Sequence, residues 1–154
     1  MARRVAKNRQ EELAAAFTDL GPAWGRWVTV CTPAASVSYI RLRLLRGLGQ
    51  HGDQTMTALA LSLNITQRRV TALVAALVSE GLVSRAPNPA DGRSTVISMT
   101  ELGGKHLATY WPQFQAAVSA AFGDLPVEQQ DQLLAITPLL TQAMRNRTRL
   151  VAGD

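Results

Sequence analysis

A single cysteine, Cys31, stands among the 154 residues, which excludes an internal disulfide framework and fits a reducing compartment. The only histidines, His51 and His106, are far apart and read as surface or helix-end residues. One Cys and two scattered His give no cluster with metal-ligand spacing, so no metal site is expected. The chain also lacks a glycine-rich phosphate loop, a nucleophile elbow and a paired-carboxylate motif, so neither an enzyme nor a cofactor is expected. No apolar run approaches the length of a membrane span. The basic stretch Met1 to Gln10 leads into Glu11-Glu12 and not into the apolar core of a secretory signal. These absences lead us to expect a soluble cytoplasmic protein with no membrane partner.

Acids are scarce where it matters. From Arg41 to Arg93 the seven arginines 41, 43, 46, 68, 69, 85 and 93 face only Asp53, Glu80 and Asp91. The chain carries a net charge of +5, and only Lys7 and Lys105 are lysines. Arginine presents a planar fork of donors suited to phosphates and guanine edges. With 47% apolar residues and 18% charged ones, the chain has the balance of one globular domain.

The pattern of elements predicts a mainly α fold with a small β-wing. Glu11 to about Val30 reads as a helix with Leu13, Ala16, Phe17 and Leu20 on one face, kinked or split at Gly21-Pro22. Thr32-Pro33-Ala34-Ala35 reads as a connector, and Ser36 or Ser38 as the cap of a second helix to about Gln50. There Ile40, Leu44, Leu45 and Leu48 are expected inside, with Arg41, Arg43 and Arg46 outside or at the edges. Thr57 is expected to cap a short helix through Leu63, Asn64 to make a left-handed turn, and Thr66 to cap the next helix. That helix carries Val70, Leu73, Val74, Leu77 and Val78 at amphipathic spacing, and Gly81 stops it. Leu82 to Arg85 and Thr95 to Met99 read as strands around a loop with Pro87, Pro89 and Gly92. Thr100 is expected to cap a long helix to about Phe122, weakened by Gly103-Gly104 and bent at Pro112. Asp124-Leu125-Pro126 opens a last helix to about Arg149 with a second kink at Pro138.

Helix, tight turn, helix and hairpin in that order form the layout of a winged helix-turn-helix, a shape that fits the grooves of double-stranded DNA. With the apolar stripe of the Thr66 helix buried, Arg68, Ala72, Ala75 and Ser79 fall on the opposite face, with Arg69 and Thr71 on the flanks. Thr66, Gln67, Arg68, Arg69 and Thr71 are therefore the candidates for the major groove, where an Arg on guanine discriminates by roughly 1–3 kcal/mol. At the hairpin, Asp91, Arg93 and Ser94 are the wing candidates. Arg93 can enter a narrow minor groove while Asp91 orients it.

The run Leu59-Ala60, Leu63-Asn64-Ile65-Thr66, Val70-Thr71, Leu73-Val74, Leu77, Gly81-Leu82-Val83, Arg85, Pro89, Asp91-Gly92-Arg93 and Thr100-Glu101-Leu102-Gly103 resembles a MarR-family transcriptional regulator. The resemblance is densest from Thr55 to Leu107. It implies a homodimer clasped by helices in 1–35 and 100–154, with 36–99 as the winged lobe on a pseudo-palindromic operator. It also implies repression, relieved by a small phenolic or lipophilic effector bound between stem and lobe. Two positions depart from the pattern: Ala72 stands where many members carry Arg, and Val78 where an acid is common. The interruptions at Gly21-Pro22 and Pro138 also fall in helices that are usually smoother.

Trp24, Trp27, Tyr39, Arg43, Arg46 and Trp111 are the effector-pocket candidates, because aromatic walls with a few polar groups suit a small apolar molecule. Plain aromatic packing is the competing role. Cys31 reads as a small buried hydrophobe before it reads as an oxidant sensor. A winged-helix module that binds protein instead of DNA is the alternative from another class, and salt sensitivity separates the two.

Overall fold

In the computed structural model the backbone is described for residues 2–31, 38–89 and 91–152, and the side chains of these except 2–6, 93 and 149–152. The order is α1 (Ala2–Val30), α2 (Tyr39–His51), β1 (Gln54–Thr55), α3 (Met56–Leu63), α4 (Gln67–Ser79), β2 (Val83–Asn88), β3 (Asp91–Met99), α5 (Glu101–Ser119), a 3-10 turn (Ala120–Phe122) and α6 (Val127–Ala152). The fold is mainly α with a small β-wing. Two units divide the chain, Met1–Val118 and Ser119–Asp154. Among the described residues no helix is long and apolar enough to cross a membrane.

The centre of the first unit is one apolar cluster. Leu44, Leu45 and Leu48 of α2 meet Leu59, Ala60 and Leu63 of α3, Val70, Val74 and Leu77 of α4, and Leu82, Val83 and Ile97 at the sheet. Leu73 packs against it half-buried, but Val78, expected in the stripe, is 40% exposed. The stripe closes at Leu77, because Glu80 already caps the helix and Gly81 (φ 71) turns the chain away. Leu42 was expected in neither group. It faces the other side of α2 and forms a second cluster with Val28 of α1 and Phe114 of α5. Ile40 is half-buried at the edge of the first.

Local chemistry sets the turns. The two-residue strand β1 pairs Gln54 with Ile97 and Thr55 with Val96, which holds Thr55 extended. Thr55, not Thr57, therefore caps α3, its hydroxyl accepting from the Ala58 N–H at 3.2 Å. Asn64 adopts the left-handed conformation (φ 54, ψ 50) between α3 and α4. Ser38 stands at the start of α2 but makes no capping bond, and the Ser36 cap and the Thr32 to Ala35 connector lie outside the described residues.

The sheet order is β1-β3-β2, all antiparallel. Both wing strands run further than expected: Pro87 lies in β2 and Gly92 in β3. Pro87 fits there because β2 is an edge strand with one free side, and the register shifts at Pro87/Asn88.

Helix α1 begins at Ala2, not Glu11, and Pro22 lies inside it without splitting it. Proline removes one amide donor, and the helical turns on both sides keep theirs. An ion pair Lys7–Glu11 and a bond from Asn8 to Glu12 link successive turns near its start. Pro112 likewise lies within α5. Thr100 starts α5 twice over: its Oγ1 accepts from the Gly103 N–H at 3.0 Å and donates to the Gly81 carbonyl at 2.6 Å. Gly103, read as a weakness, is required, since a Cβ there would lie 2.0 Å from the Leu82 carbonyl oxygen. The α-helix stops at Ser119, and the last turn to Phe122 is 3-10.

In the second unit, Gln130 donates to the Leu125 carbonyl at 2.8 Å and the Phe122 carbonyl at 3.2 Å, bracing the entry to α6. Pro138 lies inside α6, which continues to Ala152. Phe122, Leu133, Leu134 and Pro138 border an apolar groove of about 510 Å³.

Candidate nucleic-acid interface

Helix α4 is held from beneath and bare above. Val70, Val74 and Leu77 are buried, whereas Gln67, Arg68, Arg69, Thr71, Ala72, Ala75 and Ser79 are exposed. The Thr66 hydroxyl accepts from the Arg69 N–H at 3.4 Å, so the cap and two arginines share the first turn. A helix N-terminus carries partial positive charge, and Arg68 and Arg69 add two full charges to it. Gln67 Nε2 donates to Thr57 Oγ1 at 3.2 Å, tying the head of α4 to α3. Thr71 Oγ1 donates to the Gln67 carbonyl at 2.9 Å, which occupies its hydrogen on its own helix.

At the wing, Asn88 donates to Ser94 Oγ at 2.8 Å, and Ser94 Oγ donates to the Asp91 carbonyl at 3.0 Å. Ser94 thus braces the hairpin turn. Asp91 and Gly92 are exposed at its tip, and the backbone carries Arg93 into β3 just beyond them. The Arg93 side chain, and with it the expected Asp91 pairing, lies outside the described residues. Arg85, not among the wing candidates, is exposed on β2 and adds a cation to the same ribbon. Its place in the arginine run was the available signal.

The aromatic candidates gather where α1, α2 and α5 meet. Tyr39 stacks on Phe114 at 5.1 Å, and Trp111 meets Phe114 at 5.5 Å. Arg46 lies over Trp111 at 4.5 Å and Arg43 over Tyr39 at 5.6 Å, two cation–π contacts. Arg43 also donates to the Ser62 carbonyl at 3.0 Å. Trp27 Nε1 donates to the Val118 carbonyl at 3.4 Å, while Trp24, one turn earlier on α1, is 38% exposed. Phe114 is the hub that the sequence reading missed. Cys31 is half-buried and packs against the Val28–Leu42–Phe114 cluster.

Two titratable or charged side chains lie between core and surface. Arg41, expected outside or at the edges of α2, is at the edge: its side chain is 12% exposed and pairs with Glu80 at the end of α4. That bond holds the Glu80 carboxyl below its usual range, against partial desolvation. His106 is not a surface or helix-end residue but half-buried within α5, its ring 4.6 Å from Tyr110. Burial lowers its pKa, Arg41 adds to the effect and Glu80 opposes it. Among the described residues no group of three or more His, Cys, Asp or Glu is gathered as a metal ion requires.

Residues 37–95 match the family model described as MarR family. An HTH-type transcriptional regulator of Mycobacterium bovis is 36% identical over 73 residues, 47% of this chain and 51% of that one. The chain thus spans about half the length of the curated relatives it matches. A MarR-family regulator of Streptomyces coelicolor, solved in complex with DNA, is similar with a TM-score of 0.69 at 24% identity, covering 88% of both chains. A Bordetella bronchiseptica protein whose DNA binding is regulated by 6-hydroxynicotinic acid superposes with a TM-score of 0.70 at 20% identity, over 84% of this chain and 98% of that one.

Proposed function

We propose, on the premise that this chain carries a MarR-family winged helix-turn-helix domain over residues 37–95, that it is a double-stranded DNA-binding transcriptional regulator and not an enzyme. The observation that carries this reading is the first turn of α4, where exposed Gln67, Arg68 and Arg69 sit on a Thr66-capped helix end above a buried stripe. Small Ala72 and Ala75 on the same side let a duplex approach the helix closely. Arg93 on the wing supplies the minor-groove contact, and Asp91 orients it.

The finer reading is a cytoplasmic homodimeric repressor on a pseudo-palindromic operator, released by a small lipophilic or phenolic effector. A dimer is supported by apolar side chains left exposed on α1 (Leu13, Phe17, Leu20) and on α6 (Leu134, Ile136, Leu139). An aromatic-ring effector suits the cluster of Tyr39, Arg43, Arg46 and Trp111, with Trp24 and Trp27 nearby on α1. The Bordetella relative responds to an anionic aromatic acid, the ligand chemistry such a cluster would take.

Selection of bound fragments from genomic DNA, followed by sequencing, tests the reading directly. A recurring inverted repeat is the expected result. Arg93→Ala should weaken binding to that repeat while leaving helical content and mass unchanged. Retention of no fragment at low salt would overturn the proposal.

A further inference from the structure

We infer that Arg43 is a positioning residue for the DNA-binding lobe: from α2 its guanidinium fixes the end of α3, and through the adjoining turn it sets the attitude of α4 without touching DNA. The inference deepens the DNA-binding reading and rests on it.

The last carbonyls of a helix have no partner within the helix. At the end of α3 the Ala60 and Leu61 carbonyls accept from the backbone N–H groups of Ile65 and Asn64. The Ser62 carbonyl is met instead from another element, by Arg43 Nη2 at 3.0 Å. A cation at a helix C-terminus also faces the negative end of the helix dipole. Only Leu63, Asn64 and Ile65 separate Ser62 from the Thr66 cap. Leu63 is buried in the core, and Asn64 is held in the left-handed conformation. A restraint on Ser62 is therefore a restraint on where α4 begins.

The other side of Arg43 is also engaged. Its guanidinium lies 5.6 Å from the centre of the Tyr39 ring, which stacks on Phe114 of α5 at 5.1 Å. A planar fork can rest its face on a ring while its edge donates to a carbonyl, which a lysine ammonium cannot reproduce. Arg43 is half-buried, with one donor on a carbonyl and its guanidinium carbon over an aromatic ring. That arrangement suits a strut between helices better than a phosphate clamp.

The test uses the full chain and a mixed-sequence duplex of about 30 base pairs, long enough for two half-sites a helical turn apart. Arg43→Ala should bind roughly three- to tenfold more weakly at fixed salt, the effect of losing one partly screened charge-assisted bond. Its slope of log affinity against log salt should match the wild type, whereas Arg68→Ala should reduce that slope by about one. In free protein, amide exchange at Asn64 and Ile65 should quicken in Arg43→Ala and be only partly restored by Arg43→Lys. Tyr39→Leu, which keeps the carbonyl bond and removes the ring, should show a weaker form of the same changes. A slope reduced by about one in Arg43→Ala would make Arg43 a phosphate contact and overturn the inference. Unchanged exchange at the turn in both Arg43→Ala and Tyr39→Leu would overturn it as well. If wild-type protein binds no duplex, the DNA-binding reading fails by itself, and the exchange comparison still decides whether Arg43 sets the turn.

Discussion

Gly103 shows how one residue can govern the join between the wing and α5. The first turn of α5 passes so close to the Leu82 carbonyl that a Cβ would lie 2.0 Å from its oxygen and 3.0 Å from Met99 Cγ. A backbone oxygen cannot swing aside as a side chain can. Gly103→Ala should therefore cost on the order of 3 kcal/mol in urea unfolding, despite the better helix propensity of alanine. A gain in stability would mean that α5 has room to shift.

His106 belongs to the same scale. Burial lowers its pKa, so the folded state holds the imidazole proton less tightly than the unfolded chain, where the value is about 6.5. Its contribution to stability is complete above that value and declines as pH falls through it towards the folded value. Glu80 acts in the same direction at lower pH: the Arg41 bond lowers its pKa, and the stability it adds is lost as pH drops through that lowered value. Between about pH 7 and about pH 5.5, where histidine titrates, the unfolding midpoint of the wild type should fall. His106→Gln should show a shallower fall over that window, and equal slopes would remove the imidazole from the account.

Among the elements, those with a local signal were legible in the sequence. Thr66, Asn64 and the stripe Val70, Val74 and Leu77 announce α4 through side-chain chemistry and period alone, and the structure has it at Gln67–Ser79. Thr100 and Gly81 fixed two further boundaries in the same way. What escaped depends on partners distant in sequence. β1 is two residues long and exists because Gln54 and Thr55 meet Ile97 and Val96, which also moved the α3 cap from Thr57 to Thr55. Arg41 is drawn inwards by Glu80, 39 positions later, and no periodicity of α2 contains that acid. Phe114 joins Tyr39 and Trp111 only once α2 and α5 are side by side. The arginines of α4 were legible as an exposed pair. Whether either reads a base is a matter for substitution. Arg68→Ala or Arg69→Ala should lose affinity and relax preference at one operator position by roughly 1–3 kcal/mol. Equal losses on every sequence would assign that side chain to phosphate.

For the whole molecule, the proposed dimer is tested at the exposed apolar side chains. Phe17 is 41% exposed on α1 and Leu134 is 72% exposed on α6. On each helix, large apolar side chains left in water suit an interface. Sedimentation should give twice the chain mass, and the pair Phe17→Asp and Leu134→Asp should shift it towards the single chain with the lobe still folded. An unchanged mass would place the interface elsewhere.

The central claim is that paired lobes present arginines to the phosphates and base edges of a duplex. The most direct measurement is the affinity and stoichiometry for a duplex drawn from the selected genomic fragments, compared between about 50 and about 200 mM salt. Two chains per duplex and a loss of roughly 10³- to 10⁵-fold, as about 6–10 phosphate contacts demand, are predicted. One chain per duplex, or an affinity indifferent to salt, would contradict it.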